Sequence, residues 1–409
     1  ADRKMVSMQS LDLMELIVER LIWRGRGLAR LGNGQAVIID PGVFPGERIR
    51  ARVIQSKPDY LRARCTQVLE AHPMRRPHPC KLADFCGGCR FGWLPHTEQI
   101  KLKTDLVCSE LSRALPAEVR AHLPPVQAVS SPKKWRYRWR GQVHVHHGQP
   151  CVMPLQGHEP LPCSDCLLLA KPLSRQVPDM CALMGDGRIT VAASPKTHQA
   201  ARAGNALWLD LPLPAFHLDL EVTPDIFFQA NWSGNQALVH YVCAHIDPDW
   251  KVADLYAGAG NFALALGSRG NRVLALESDP RTVRAGQKNA RRLGLHHVRF
   301  VRRDLARESA KRRLQQEKVR AVVVDPPRTG AGRKLAQTLD LPHIKRMVWV
   351  SCDVVNTCRD LKQYVSLGWR IKSIQLFDLF PQTWHVETVF ILDRDESRAK
   401  SAQEEADAE

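Results

Sequence analysis

Several features that mark particular classes of protein are scarce in this sequence. No run of about eighteen or more apolar residues occurs in the chain, so we expect no membrane-spanning helix and no membrane partner. The first ten residues contain no apolar stretch, so we expect no secretory signal and a cytoplasmic protein. No internal repeat or long low-complexity block is visible, and a hydrophobic content of 44% excludes wholesale disorder.

Acidic residues are also in deficit. The chain has 42 Asp and Glu residues against 59 Lys and Arg residues, and its formal net charge is +17. Much of the acid lies in the last stretch of the sequence, so the preceding body is more basic still. A basic body predicts a polyanionic partner, most commonly nucleic acid, although basic surfaces also serve solubility.

The length of 409 residues predicts two or three domains rather than one core. Residues 10–72 show short strand patterns separated by Gly turns, which is typical of a small OB-like β-barrel. Residues 73–223 predict a strand-rich central domain with a cysteine loop. Strands alternate with helices over residues 224–394, which predicts a doubly wound α/β sheet. Residues 395–409 form an acidic tail that we expect to be disordered.

A candidate cofactor loop lies in the third region, where the buried strand of VADLYAGAGN (residues 252–261) ends in a Gly-rich turn. Gly258 lets the backbone approach a ligand closely at the start of the following helix. The next strand ends in Glu277, which suits the two hydroxyls of a ribose, and a third ends in Asp304, which suits an adenine edge. The third Gly of the dinucleotide fingerprint is absent, which favours S-adenosylmethionine over a nicotinamide dinucleotide. The alternative is a tight turn in another α/β fold.

Three later strands carry polar groups at their ends, where doubly wound sheets place their chemistry. One ends in Asp325, followed closely by Arg328, a second ends around Cys352, and a third begins near Glu387. A lone cysteine at a strand end is usually a small, inert core residue. An acid, an arginine and a cofactor loop converging on the same place favour a nucleophilic role for Cys352 instead.

With these residues the chain resembles the uridine-5 RNA methyltransferases of the RumA/TrmA type over nearly its whole length. GRGLARLGNG and PGERIRARV are similar to the TRAM domain, an OB-like RNA-binding module of that family. Five further blocks resemble the family's blocks and occur in the family's order: IFFQAN, DLYAGAGNF, DPPRTGAG, SCDVVNTCRDL and HVETVFIL. The resemblance implies a Rossmann-like methyltransferase domain preceded by the TRAM barrel and the strand-rich central domain. It implies S-adenosylmethionine-dependent methylation of carbon 5 of uridine in structured RNA.

The resemblance also implies roles for single residues. It makes Cys352 the nucleophile and Glu387 the base. It places a set of polar residues around S-adenosylmethionine: Gln229, Tyr256, Asn261, Glu277, Asp304 and Asp325. Carbon 5 of uracil is a poor nucleophile until a thiolate adds to carbon 6, and the carbon 5 proton must then leave. One nucleophile and one base at the same pyrimidine meet both needs, and Asp325 is expected to hold cofactor or base through hydrogen bonds.

The sequence departs from the family directly after the nucleophile. The family usually has Asn-Pro there, and this chain has Asp353-Val354. A proline helps to fix the backbone, so its absence leaves the rigidity of this loop open. The additional carboxylate is expected to raise the pKa of the thiol.

A cysteine loop, CKLADFCGGC, supplies Cys80, Cys86 and Cys89 within ten residues and resembles the family's iron–sulfur loop. A 4Fe-4S cluster needs four thiolates. Cys163 and Cys166 are candidates for the fourth, and the resemblance of CLLLAKPL favours Cys166. The alternative is a structural zinc held by the two C-x-x-C pairs, which would leave Cys80 without a role. We expect the cluster to be structural or to position RNA.

The substrate expectation rests on the domain content. The target base must leave its stack, which favours loops of structured RNA. The segment KKWRYRWRG (residues 133–141) offers charge and stacking faces, although its aromatic residues are equally expected to pack in a core. The tRNA branch of the family typically lacks both the TRAM module and the cysteine loop, so 23S rRNA of the large subunit is favoured. A chain with its own RNA-binding module is expected to be a monomer.

Other readings remain open from the sequence. The same chemistry on tRNA is the nearest alternative, followed by an RNA-binding protein with impaired catalysis. An α/β oxidoreductase with an electron-transferring cluster is a further one. Methylation of DNA or protein is a weaker variant of the leading hypothesis.

Overall fold

The computed structural model describes residues 13–155 and 157–395. The chain forms two compact units. The first extends to Leu106 and includes Gln382–Trp384, and the second comprises the remainder. In the described ranges no helix is long and apolar enough to cross a membrane. The predicted acidic tail beyond residue 395, and residues 10–12 of the predicted barrel, lie outside these ranges.

The helices and strands are numbered in chain order. The strands are β1 (Leu13–Ile17), β2 (Arg20–Ile22), β3 (Arg26–Arg30), β4 (Ala36–Ile39), β5 (Arg48–Ser56), β6 (Tyr60–Glu70), β7 (Val126–Val129), β8 (Arg140–His146), β9 (Gln149–Val152), β10 (Leu161–Pro162), β11 (Gly187–Ala193), β12 (Ala200–Arg202), β13 (Leu209–Leu213), β14 (Leu218–Val222), β15 (Val252–Leu255), β16 (Val273–Glu277), β17 (Val298–Arg302), β18 (Ala321–Val324), β19 (Arg346–Ser351), β20 (Trp369–Phe377) and β21 (Glu387–Arg394). The α-helices are α1 (His96–Ala114), α2 (Ala117–Arg120), α3 (Lys171–Ala182), α4 (Trp232–Ala244), α5 (Ala263–Ser268), α6 (Pro280–Arg292), α7 (Lys311–Glu317), α8 (Gly332–Leu339) and α9 (Val354–Ser366).

The first unit contains a small barrel with the strand order β1-β5-β6-β4-β3-β2. The two end strands, β1 and β2, are consecutive in the chain, and the segment between them is hydrogen-bonded to other parts of the sheet. The Val18 amide donates to Glu47 beside β5, and the Glu19 amide donates to Leu28 in β3. Side chains alternate along the strands, as in β5, where Ile49 is buried and the flanking arginines are not. These six strands confirm the strand-rich N-terminal region that the sequence predicts, and its OB-like, TRAM-type character stays a prediction.

Two smaller sheets are formed by residues 140–222 of the second unit. One has the order β10-β9-β8-β11-β12, and the other is the hairpin of β13 and β14. Leu209, Leu211 and Leu213 alternate along β13 and are buried, while the intervening residues are half-buried. The central region is therefore rich in strands, as its sequence predicts.

The largest sheet has eight strands in the order β17-β16-β15-β18-β19-β21-β20-β7. The neighbouring pairs from β17 to β19 are parallel, and β21 runs antiparallel to both of its neighbours. The strands β20 and β7 were absent from the sequence prediction. Because β7 comes from the range 73–223, this sheet extends across the predicted boundary at residue 224. The domain limits stay a prediction.

This topology brings the candidate site residues to one edge of the sheet. The parallel strands β15, β16, β18 and β19 end there. From β15 the chain adds strands first on one side of the sheet, beginning with β16, and then on the other, beginning with β18, so the strand order reverses between β15 and β18. Since β21 is antiparallel to β19, Thr388 pairs with Ser351. The beginning of β21 therefore lies beside the end of β19, at the crevice where open α/β sheets bind ligands.

Candidate active site

The Gly-rich turn that the sequence predicts after β15 has positive φ angles at its glycines. Gly258 has a φ of 56° and Gly260 a φ of 103°. A Cβ on Gly260 would lie 2.7 Å from the Phe300 ring and 2.8 Å from Leu264, so only glycine fits there. Tyr256 also has a positive φ, 62°, which is unusual for a bulky residue and common at functional loops.

A pocket opens beside this turn, with about 510 Å³ of empty space that includes open solvent. Five predicted residues line it: Gln229, Tyr256, Gly258, Asn261 and Asp325. Nine other residues complete the wall: Leu211, Leu220, Val222, Phe227, Phe228, Trp232, Ala257, Ala259 and Phe262. The pocket therefore combines an apolar wall with a few polar groups, as cofactor sites do.

Glu277 and Asp304 are not among the residues that line this pocket. One Glu277 carboxylate oxygen, Oε2, accepts a hydrogen bond from the Gly258 amide at 3.0 Å. The other, Oε1, accepts from the Asp279 amide at 2.9 Å. Asp304 accepts from the Ala306 amide at 3.0 Å. Glu277 thus stabilises the turn by accepting a hydrogen bond from its backbone. The predicted contacts of Glu277 with ribose and of Asp304 with adenine stay predictions.

Two residues that the sequence analysis missed hold the turn in place. Asn235 of α4 is fully buried and exchanges two hydrogen bonds with Asn261, at 2.8 and 2.9 Å. Asp254 in β15 is fully buried, and its Oδ2 accepts from the Ala263 amide at the start of α5, at 2.9 Å. Burial, first, and the nearby Asp325 raise the pKa of Asp254 well above its ordinary value. The sequence analysis did not identify either role, since Asn235 acts through a residue 26 positions away and Asp254 through a backbone amide.

The predicted nucleophile lies among the other predicted polar groups. Burial raises the pKa of Cys352 to about 12, and the charges of Glu387 and Asp325 add to this rise. Arg328 opposes it, first through the positive charge of its guanidinium and second through hydrogen bonding that favours the thiolate. Arg328 is therefore the group that favours the thiolate needed for attack.

The two acids of this cluster hold protons more tightly than usual. Burial raises the pKa of Asp325 to about 7. Burial and the neighbouring Asp325 raise the pKa of Glu387 well above its ordinary value, and Arg328 lowers it. Because Asp325 also lines the pocket, the acid pair links the pocket to Cys352. An acid with a raised pKa near neutrality suits proton transfer.

The loop after the nucleophile is fixed by a helix cap rather than by proline. Asp353 is the N-cap of α9, and its Oδ1 accepts from the Asn356 amide at 3.0 Å. Asp and Asn are about equally good N-caps, so the exchange from the family's Asn keeps this function. Val354 at the first helical position is fully buried. The pKa of Cys352 is raised by burial and by the charges of Glu387 and Asp325, and Asp353 is not among the main causes. The carboxylate of Asp353 instead accepts the hydrogen bond that caps the helix.

Helix α9 also holds the loop that carries Arg328. The Asn356 side chain donates to the Arg328 carbonyl at 2.7 Å, and Arg359 donates to the Thr329 carbonyl at 2.9 Å. Asp360 is buried, and its Oδ2 accepts from the Ala331 amide at 2.8 Å. We call this set of contacts the α9 clamp. It connects the helix that begins after Cys352 to the arginine that contacts its thiol.

The two predicted groups of cysteines lie in different units. Cys80, Cys86 and Cys89 are half-buried in successive turns of the first unit. In the second unit, a hydrogen bond with Cys163 lowers the pKa of Cys166 to about 6, against the effect of burial. Within the described ranges no group of three or more His, Cys, Asp or Glu side chains is arranged to hold a metal ion. The predicted cluster and its alternative, zinc, therefore stay predictions.

Two of the three aromatic residues of 133–141 pack in the interior, and the third, Trp135, is half-buried. Tyr137 is fully buried and donates to the Pro381 carbonyl at 3.0 Å. Trp139 is buried and stacks on His198 at a centroid distance of 5.7 Å. The alternative of core packing is thus correct for both residues. The exposed aromatic residue of this region is Phe227, which borders the pocket and lies 5.4 Å from the Arg140 guanidinium.

The doubly wound sheet, with a Gly-rich turn at the point where strand order reverses and a pocket beside it, has the architecture of enzymes that bind a nucleotide-type cofactor such as S-adenosylmethionine. Comparison with known proteins supports this. The family model described as tRNA (Uracil-5-)-methyltransferase matches residues 205–395. A solved structure of the tRNA (uracil-54, C5)-methyltransferase of Pyrococcus abyssi in complex with S-adenosyl-L-homocysteine has the same fold, with a TM-score of 0.72. It is 20% identical, and the match covers 92% of this chain and 99% of that one.

Two curated relatives extend the comparison over nearly the whole chain. The 23S rRNA (uracil(1939)-C(5))-methyltransferase RlmD of Pseudomonas putida is 30% identical, with 92% of this chain and 93% of the relative covered. An uncharacterized RNA methyltransferase of Aquifex aeolicus is 27% identical, with 93% and 98% covered. The chain belongs to the RNA uracil-5-methyltransferase family and acts on RNA with S-adenosylmethionine as methyl donor.

Proposed function

We propose that this protein methylates carbon 5 of a uridine in 23S rRNA, with Cys352 as the nucleophile and Glu387 as the base. The observation that carries the proposal is the cluster of Cys352, Glu387, Asp325 and Arg328, in which Glu387 is buried and Asp325 also lines the cofactor pocket. Methylation at carbon 5 needs a nucleophile and a base at one pyrimidine, and this cluster supplies both next to the expected methyl donor.

The chemistry follows from the positions of these side chains. The Cys352 thiol gives its proton to water, and the thiolate sulfur bonds to carbon 6 of uracil. The π bond between carbons 5 and 6 opens into an enolate, which makes carbon 5 nucleophilic. Carbon 5 then bonds to the methyl group as the bond between methyl and sulfonium sulfur breaks. Glu387 takes the carbon 5 proton, the double bond between carbons 5 and 6 reforms, and the sulfur of Cys352 leaves. Arg328 stabilises the thiolate at the beginning and at the end.

S-Adenosylmethionine supplies the electrophilic methyl group. We assign its binding to the polar residues that line the pocket: Gln229, Tyr256, Gly258, Asn261 and Asp325. The raised pKa of Asp325, about 7, falls when a cation enters the pocket, because an opposite charge favours the carboxylate. Glu277 and Asp304 follow neighbouring strands at the same edge, and we propose that they contact ribose and adenine.

The choice of 23S rRNA is supported by the relatives and by the barrel. The match to RlmD of Pseudomonas putida extends over 93% of that protein, so it includes the barrel as well as the methyltransferase sheet. We assign the barrel, as a TRAM-type module, to RNA binding. The proposed protein is monomeric and cytoplasmic.

We also propose that the cysteine loop holds a 4Fe-4S cluster in a structural role, through Cys80, Cys86, Cys89 and Cys166. The donor chemistry supports this, because thiolates are the ligands that iron–sulfur clusters use. No step of methyl transfer is assigned to the cluster. Iron analysis and the visible absorption of anaerobically purified protein test it. Cys86→Ala is expected to lose the bound iron, whereas Cys108→Ala, which changes an exposed cysteine outside both groups, is expected to keep it. Bound zinc in place of iron would overturn the assignment.

Methyl transfer tests the substrate. Unmodified rRNA and tRNA are incubated separately with S-adenosylmethionine labelled in the methyl group and then digested to nucleosides. Label in 5-methyluridine from rRNA is the expected result. Label from tRNA would keep the reaction and overturn the assignment to rRNA. No label in either RNA, with folded protein, would point to an RNA-binding protein with impaired catalysis.

A further inference from the structure

A row of basic residues lies at the edge of the large sheet opposite to the active site. Each of the five parallel strands from β17 to β19 is directly preceded by a basic residue. In the order of the strands across the sheet these residues are His297, Arg272, Lys251, Arg320 and Lys345. We call this set the basic ridge. Its members come from five separate segments of the chain, so the row is visible only in the folded protein.

Backbone hydrogen bonds between the neighbouring segments fix the order of the ridge. The His297 carbonyl accepts from Val273 at 3.1 Å, and the Arg272 carbonyl accepts from Val252 at 2.9 Å. On the other side, the Arg320 amide donates to the Lys251 carbonyl at 2.9 Å, and the Lys345 amide donates to the Arg320 carbonyl at 2.8 Å. Neighbouring strands lie about 4.8 Å apart, so four steps make a row of about 19 Å.

A pocket of about 450 Å³ opens at one end of the ridge. The polar residues that line it are Lys251, Arg272, His296, His297, Arg299 and Glu317. Glu317, the acid of this set, pairs with Arg299 at 3.0 Å. Among the described residues, Lys251 and Arg272 have no ion pair, so the charge of the pocket stays positive. A positively charged concave surface attracts anions.

Acids elsewhere along this edge are largely neutralised by other cations. Asp393 pairs with Arg346 at 2.7 Å, and Asp340 pairs with Arg394 at 3.1 Å. Asp247 and Asp249 lie in the loop before Lys251 and reduce the positive charge without reversing it. The edge therefore presents a net positive row to solvent.

We propose that the basic ridge binds phosphates of the RNA substrate outside the loop that contains the target uridine. The proposal rests on RNA as the substrate class. Phosphate contacts supply affinity without reading sequence, and a row of cations follows a strand of RNA better than it holds a small anion. The parallel strands have four to six residues, which corresponds to roughly 13–20 Å between the two edges. A hairpin whose stem is shorter than this distance does not reach the ridge from the active site, and a long RNA does.

The test compares two RNAs and one triple variant, Lys251→Gln with Arg272→Gln and Arg320→Gln. The RNAs are a hairpin of roughly 12 nucleotides with the target uridine, whose stem of about four base pairs is shorter than the distance between the edges, and a large-subunit rRNA fragment of roughly 150 nucleotides that contains it. Affinity of the full chain is measured by fluorescence anisotropy between about 50 and 200 mM KCl. We expect at least a tenfold loss of affinity for the long RNA at low salt. The slope of log K against log salt becomes shallower by roughly 2–3 for three lost phosphate contacts.

The control is a second triple variant with the same change of charge, Arg284→Gln with Lys311→Gln and Arg312→Gln. All three residues are exposed and lie outside the ridge. We expect both variants to bind and methylate the hairpin as the unchanged protein does, and to melt at similar temperatures. Three results would overturn the proposal: unchanged affinity of the ridge variant for the long RNA, an equal loss with the hairpin, or an equal loss in the control variant.

Inorganic phosphate distinguishes an RNA contact from a small-anion site. At equal ionic strength, about 10 mM phosphate is expected to displace the long RNA no better than chloride does, because both salts screen the charges to the same extent. Specific displacement would replace the RNA contact with a small-anion site and would contradict the proposal. Failure of the unchanged protein to methylate any uridine would overturn the proposed function, and the binding comparison would still decide the ridge.

Discussion

Replacement of Arg328 by glutamine is predicted to make the Cys352 thiol less reactive. The guanidinium hydrogen-bonds this thiol and is the positive charge that opposes burial, Glu387 and Asp325. A hydrogen bond to a charged group contributes about 1.5–3 kcal/mol, and one pKa unit corresponds to about 1.4 kcal/mol. Arg328→Gln should therefore raise the pKa of Cys352 by roughly one to two units. At any pH below that pKa, the thiolate fraction falls about 10- to 100-fold.

The assay is alkylation of Cys352 by iodoacetamide, followed at the level of the peptide by mass spectrometry because the chain has 12 cysteines. Below the pKa of about 12, the rate should rise about tenfold per pH unit, since the thiolate is the reacting species. Arg328→Gln should be slower at every pH tested. Glu387→Gln removes a carboxylate that raises the pKa of Cys352, so it should be as fast as the unchanged protein or faster. A faster Arg328→Gln, or a slower Glu387→Gln, would refute the account of this cluster.

Three further substitutions test the residues that hold the site. Asp360→Ala removes a hydrogen bond of the α9 clamp and should lower kcat about tenfold or more. It should also slow Cys352 alkylation, as the loss of Arg328 does. The binding of S-adenosylmethionine, measured by calorimetry, should change little. Asn235→Ala removes the partner of Asn261 and should weaken S-adenosylmethionine binding by about 1–3 kcal/mol, with unchanged alkylation of Cys352. Gly260→Ala forces a Cβ against Phe300 and should lower stability by about 1–3 kcal/mol, read from urea unfolding; an unchanged midpoint would contradict the packing described for this turn.

The sequence contains the site residues mainly as local patterns of a strand followed by a turn. Gly258, Asp325 and Cys352 each follow or end a buried strand, and the doubly wound topology brings such ends together. The position of Glu387 depends on the direction of its strand as well, because Glu387 begins a strand instead of ending one. It reaches the same edge since β21 runs antiparallel to β19. Conserved spacing was not needed for this inference, but the resemblance to the family was needed for the role of each residue.

Other parts of the structure depend on contacts between distant segments and were not predictable. Asn235 and the α9 clamp act through partners far along the chain, and Asp254 acts through the backbone amide of Ala263. The short strand β7 has four residues and no marked alternation, and it becomes a strand only because β20 pairs with it. Tyr137 and Trp139 had two equal interpretations in the sequence, and burial decided for the core. The cysteine loop and the domain limits stay predictions from the sequence.

The Glu387→Gln protein provides the most direct test of the central claim that Cys352 attacks carbon 6 and Glu387 removes the carbon 5 proton. It is incubated with S-adenosylmethionine and rRNA, denatured, digested and analysed by mass spectrometry, with Cys352→Ala as the control. Because release of the thiolate needs proton loss from carbon 5, we predict a covalent adduct in which the Cys352 peptide carries a methylated uridine. An adduct on another cysteine, or free 5-methyluridine formed at the normal rate by either variant, would contradict the account.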